Sequence, residues 1–179
     1  MKRQRFSITG LFLPVSLLLS GCITTGLTTL GTHKTRLASF AARKDALVES
    51  TAEEIGTAPV RVSTMEFRDL KTQQTVRGIE IAVRLGGYSA YVDEPDIASL
   101  TLGVDEICGA ELKSPAQTVL QKFYRTRDGI GVSVSNQKTV TPCWIEIGGE
   151  TVHVSLDELK RFAHLLHEAY AKLNGGTGE

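Results

Sequence analysis

The sequence predicts an α+β fold: an antiparallel sheet with helices on one face, built from an internal strands-then-helix duplication, plus an N-terminal helix. Three observations predict it. "LGGYSAYVDEPDIASLTLGVDEI", Leu85 to Ile107, aligns without a gap with "IGGETVHVSLDELKRFAHLLHEA", Ile147 to Ala169, at an offset of 62. In each copy a Gly-Gly pair, suited to a tight hairpin turn that needs positive φ, precedes an alternating strand. Each strand then runs into a helix start signal and one apolar stripe at helical spacing: Ile97, Leu100 and Val104, then Leu159, Phe162 and Leu166.

Taken in order, the chain opens on an address rather than on structure. Lys2, Arg3 and Arg5 precede a mostly apolar stretch, Phe6 to Leu19. A membrane-spanning helix needs about 20 apolar residues. This stretch is shorter and is interrupted by Ser7, Thr9, Gly10, Pro14 and Ser16. Length and basic start fit a secretory signal peptide, and Pro14 speaks against a buried core helix.

The stretch ends in Leu19-Ser20-Gly21-Cys22. This resembles the lipobox of bacterial lipoprotein precursors, over the first 22 residues only. The resemblance implies that residues 1–21 are removed, that the Cys22 thiol carries lipid such as palmitate, and that the mature chain is held on a membrane. The residue types suit that chemistry: small Ser20 and Gly21 admit a protease, and Cys22 supplies a soft nucleophile. Two or three acyl chains, at about 0.8 kcal/mol per buried CH₂, anchor stably where one is marginal. Ile23 follows where an Asp favours inner-membrane retention in enterobacteria, so the resemblance implies the outer membrane, facing the periplasm.

The remaining 158 residues, Cys22 to Glu179, suffice for one domain with a real core. Three basic residues leave with the signal, so 20 basic against 20 acidic becomes 17 against 20, a formal charge of −3. That balance predicts no nucleic-acid partner. Residues 22–34, rich in Thr and Gly, read as a flexible tether. Residues 35–56 read as the N-terminal helix, with Leu37, Phe40, Leu47, Val48 and Ile55 as a ragged stripe, ended by Gly56 and Pro59.

Residues 57–179 form the duplicated domain, with repeats at about 60–110 and 117–173. Strands are expected near 60–69, 76–85, 88–92, 117–126, 130–135, 140–147 and 150–154, and helices near 95–108 and 156–173. The segment "NQKTVTPCWIEI" gives the second copy one more strand than the first. Asp93 with Asp96, and Ser155 with Glu158, have capping-box spacing, the second in standard form. The order of strands then helix, twice, resembles in outline the arrangement of Whirly-type single-strand DNA-binding proteins. None of that family's binding motifs is matched, and the export signal and acidic balance point away from its function.

Two cysteines remain after lipidation, Cys108 and Cys143. An even pair in an exported chain predicts a disulfide. The competing reading is a free catalytic thiol with His153 or His164, an envelope hydrolase. His164 and His167 could share a metal at one-turn spacing, but they flank the apolar stripe and read as solvated. The carboxylates of "YVDEPD", Tyr91 to Asp96, read as capping and dipole residues, not as a calcium loop. No cofactor and no metal is expected. Trp144, the only tryptophan, and Tyr124 form the candidate binding surface. The sequence therefore predicts a lipid-anchored envelope protein that works by binding, as a scaffold, assembly or maintenance factor, with an envelope protein as a possible partner.

Overall fold

In the computed structural model the described residues are 34–44, 46–83, 87–110, 112, 119–126, 128–136 and 142–175. The signal segment 1–21, Cys22 and residues 23–33 of the tether lie outside them. Helix α1 (Arg36–Ala41) is followed by strands β1 (Val48–Thr57), β2 (Arg61–Asp69), β3 (Thr75–Ala82) and β4 (Ser89–Asp93), then helix α2 (Glu94–Cys108). Strands β5 (Gln121–Arg125), β6 (Gly131–Ser135), β7 (Cys143–Ile147) and β8 (Glu150–Val154) precede helix α3 (Leu156–Leu173). The strands make two four-stranded antiparallel sheets in simple meander order, β1 to β4 and β5 to β8. The α+β class holds, but with two sheets in place of one.

The expected helix over 35–56 is corrected. Only Arg36–Ala41 is helical, and Val48–Thr57 is an edge strand paired with β2 from Val48↔Asp69 to Thr57↔Arg61. The physical reason lies in exposure. Most of β1 faces water, so its Ala and Glu residues show no apolar alternation and carry good helix propensity. Pairing with β2 overrides that propensity, as tertiary context commonly does for strands. The correction also removes the expected inequality between the halves, since each now has four strands before its helix.

The second hairpin behaves as its Gly-Gly demands. Ile147 pairs with Glu150, and Gly148 and Gly149 turn the chain at φ +58° and +91°. Positive φ at both positions is what a two-residue hairpin of type I′ needs. The first hairpin differs: Val83 N–H donates to the Tyr88 carbonyl at 2.9 Å, so the connection is longer than two residues.

One continuous core joins both sheets and both long helices. Val62, Ile79, Ile81 and Val92 of the first sheet, Val132, Ile145 and Val154 of the second, and the stripes Ile97, Leu100, Val104 of α2 and Leu159, Phe162, Leu166 of α3 all belong to it. α2 and α3 also pack on each other, and each touches both sheets. α3 starts with the predicted capping box: Glu158 N–H donates to Ser155 Oγ at 3.2 Å, and Ser155 N–H donates to Glu158 Oε2 at 2.8 Å.

The start of α2 is unlike its expectation. Asp93 stands at its N-cap position but makes no side-chain cap bond there. Its carboxylate instead accepts the N–H groups of Arg36 at 2.7 Å and Leu37 at 2.9 Å, so it caps α1 across 56 residues. This fixes α1 on the face of the first sheet away from α2 and α3. There Leu37 and Phe40 pack with Met65, Phe67 and Val76 in a second, smaller cluster. Gly78 makes that possible, since a Cβ there would stand 2.4 Å from Leu37 Cδ1.

Leu100→Ala and Phe162→Ala, both fully buried, should each cost about 2–5 kcal/mol in urea unfolding. His164→Ala should stay within about 0.5 kcal/mol. His167→Ala loses only an exposed ion pair with Asp105 and should cost less than about 1 kcal/mol.

Asp93→Ala should destabilise by about 1–3 kcal/mol, because two charge-assisted bonds are lost. In hydrogen exchange the Arg36 and Leu37 amides should lose protection while α2 keeps its own.

Candidate functional site

Strand alternation sorts the second sheet into two faces. Tyr124, Val132, Ile145 and Val152 are in register on the core side. The next row, Phe123, Ser133, Trp144 and His153, runs across all four strands on the outer side. Beside it Arg125, Gly131, Glu146 and Thr151 form a parallel row. The outer side is thus built from large residues on β5 and β7 around small ones on β6.

That size pattern makes a groove of about 220 Å³, with Phe123 and Arg125 on one flank, Trp144 and Glu146 on the other, and Gly131 and Ser133 between them. Phe123 is 74% exposed, although it is fully apolar. Trp144 is half-buried and leans on the His153 ring, centroids 6.4 Å apart. Arg125 and Glu146 pair with each other, so the charges at the end of the groove cancel. Ser133 is 2% exposed, and its hydroxyl has no hydrogen-bond partner among the described residues. A buried hydroxyl without a partner costs roughly 1–3 kcal/mol by mutational measure.

Trp144 and Tyr124, expected together, are placed apart. Trp144 belongs to the groove. Tyr124 borders it, but its ring lies flat over Gly103 of α2, where a Cβ would come within 2.5 Å of the ring. Burial raises the Tyr124 hydroxyl pKa, with Asp96 adding to the effect. Tyr124 therefore ties the second sheet to α2. Phe123 and Ser133 are the groove residues that sequence reasoning missed. Phe123 was legible as the outward neighbour of Tyr124 in strand alternation. Ser133 had no signal at all, because a serine in a strand is unremarkable until its burial is known.

Cys108 ends α2 and Cys143 opens β7, and both thiols are free. Burial, with contributions from Asp105 and Cys143, pushes the Cys108 thiol up to about 11, and burial raises Cys143 too. Raised thiols are the reverse of an activated nucleophile, which needs its thiolate. Cys143 pairs with Val154 on the core side, while His153 stands on the outer face against Trp144, so that Cys/His pair points in opposite directions.

The other titratable clusters are also accounted for. His164 reaches Glu168 at 3.2 Å and His167 reaches Asp105 at 2.9 Å, so the two histidines do not converge. Glu94 pairs with Arg77 at 2.8 Å while Asp93 caps α1, which disperses the "YVDEPD" carboxylates. Among the described residues no group of three His, Cys, Asp or Glu is arranged to hold a metal, and no helix is long and apolar enough to cross a membrane. No family model, curated protein or solved structure matches the chain.

Ser133→Ala should leave the fold intact and raise its stability by about 1 kcal/mol, since it removes an unpaired buried hydroxyl. A lower unfolding midpoint in urea would show that the hydroxyl is bonded.

Proposed function

We propose that this protein is a lipid-anchored envelope lipoprotein that acts by binding, and that the groove on the outer face of the second sheet is where it binds. The observation that carries the binding reading is the row Phe123, Ser133, Trp144 and His153, in which exposed and half-buried rings flank a hydroxyl that has no partner among the described residues. Aromatic rings that could have been buried but are not mark interaction surfaces. The anchor rests on the basic start, the short apolar run and Leu19-Ser20-Gly21-Cys22, with Ile23 favouring the outer membrane. The tether would let the domain stand away from the bilayer, facing the periplasm, with an envelope component as partner.

Two further parts belong to this reading. The domain arose by duplication of a strands-then-helix unit. Support comes from helices α2 and α3, which start 62 positions apart. Asp105 and His167 are also 62 apart, and they touch each other at 2.9 Å. Equivalent residues of two copies can meet only at a twofold axis. The packing is reciprocal as well: Leu165 of α3 sits over Gly56 of β1, and Tyr124 of β5 sits over Gly103 of α2. In the second part, Cys108 and Cys143 oxidise to a disulfide after export. The electrostatic effect of Cys143 on the Cys108 thiol supports it, and closing a loop of 35 residues would stabilise by roughly 3–4 kcal/mol.

Cys22→Ala should leave an uncut precursor that takes no palmitate label. Label on that variant would remove the anchor from the proposal. A photoreactive residue at position 123 should crosslink to an envelope component in cells, and one at exposed position 102 should not. Equal crosslinking from both would dissociate binding from the groove. Intact-mass analysis of the exported protein without reductant should find Cys108 and Cys143 two hydrogens short of free thiols.

A further inference from the structure

We infer that the groove takes one sugar unit of a neutral oligosaccharide; this rests on the reading that the groove is the binding site. Three properties of the groove select that chemistry. The first is its walls. Phe123 and Trp144 stand on alternate strands, about 10 Å apart along the register row, with only Ser133 between them. Two flat apolar surfaces with a gap between them match a ring that presents C–H faces, as a pyranose does. Aromatic rings attract such polarised hydrogens through their negative faces.

The second is the floor. Ser133 Oγ is shielded from water and unpartnered among the described residues. A hydroxyl can donate and accept. A sugar hydroxyl can do the same, so it satisfies Ser133 in either role once the side chains covering that oxygen part to admit it. An apolar peptide side chain in the groove would leave that oxygen unpaired and keep its cost. The third is charge. The charged residues lining the groove are Arg125 and Glu146, and they neutralise each other. An anionic ligand, such as a phosphate or a nucleic-acid backbone, would have to displace Glu146 to reach Arg125. A neutral polyhydroxyl ligand meets the pair as it stands, with carboxylate oxygens accepting and guanidinium hydrogens donating.

Size limits the occupant to one unit of a longer molecule. The groove holds about 220 Å³, below the roughly 300–1,000 Å³ of sites that enclose a whole small ligand. The row continues past Trp144 to His153, and Gln121 lies at the other side of Phe123 on the same strand face. Adjoining sugars can therefore run over the sheet, each adding a little affinity. Sites of this open kind bind weakly, and an anchored protein with many copies facing a polymer gains by avidity.

Trp144 is the only tryptophan, so its fluorescence reports on the groove alone. The experiment titrates the lipidated full chain, held in a detergent without a sugar headgroup, with oligomers of N-acetylglucosamine, glucose and maltose. At least one should shift Trp144 emission to shorter wavelength and saturate with a Kd of about 0.1–1 mM. Phe123→Ala should weaken that Kd about tenfold or more. Ser133→Ala should weaken it several-fold while the fold becomes no less stable, a combination that a purely structural serine would not produce. Heparin, oligothymidylate and an apolar peptide should leave the emission unchanged. If no oligosaccharide shifts the emission up to about 10 mM but crosslinking from position 123 persists, the sugar assignment falls and the binding groove stands. A shift by an anionic probe or by the peptide alone also overturns the assignment. If crosslinking from position 123 is absent too, the groove itself is not the site.

Discussion

The packing of α2 against α3 is the contact on which the rest of the structure depends. Each sheet has a strongly apolar inner face, and neither could bury it alone. The stripes Ile97, Leu100, Val104 and Leu159, Phe162, Leu166 are wholly inaccessible to solvent and lie in one core with both sheets. Because each helix touches both sheets, the two halves cannot be separated without exposing all four surfaces. Small residues permit the closest approaches. Gly56 receives Leu165, and Gly103 receives the Tyr124 ring, so a large side chain always meets a residue without one.

That shared core consumes the inner faces, and the fate of the outer faces sets the two halves apart. The outer face of the first sheet carries Met65, Phe67 and Val76, and α1 covers them with Leu37 and Phe40. The cover is held by Asp93, whose carboxylate serves α1 rather than the helix it begins. The outer face of the second sheet has Gly131, Ser133 and Ser135 along its central strand, with Phe123 and Trp144 on the flanks. Small residues between large ones leave a groove instead of a flat surface. The same architecture thus yields a covered face on one half and a grooved face on the other, decided by which side chains point outward.

The free thiols and the groove answer different questions. Cys108 and Cys143 sit on the core side, desolvated and raised, where a covalent link would staple α2 to β7. The groove sits on the opposite side of the same sheet, with its charges paired and its rings available. Residues that would serve chemistry by a thiol and residues that would serve recognition are therefore separated by the thickness of the sheet.

The sequence by itself determined the elements whose burial is periodic. The two long helices, seven of the eight described strands and the capping box at Ser155 were legible, because one-sided burial writes a period of 3.6 or 2 into the residues. β1 was not legible, since an exposed edge strand has no face to encode and its Glu and Ala read as helix. Trp144 could be singled out as a candidate but not oriented, and Tyr124 was paired with it although the two point to opposite faces. Only the tertiary structure decided that the described strands form two sheets, that Asp93 caps a helix 56 residues upstream, and that Ser133 is buried without a partner among the described residues. Each of these depends on which residues far apart in the chain become neighbours, and local periodicity holds no record of that.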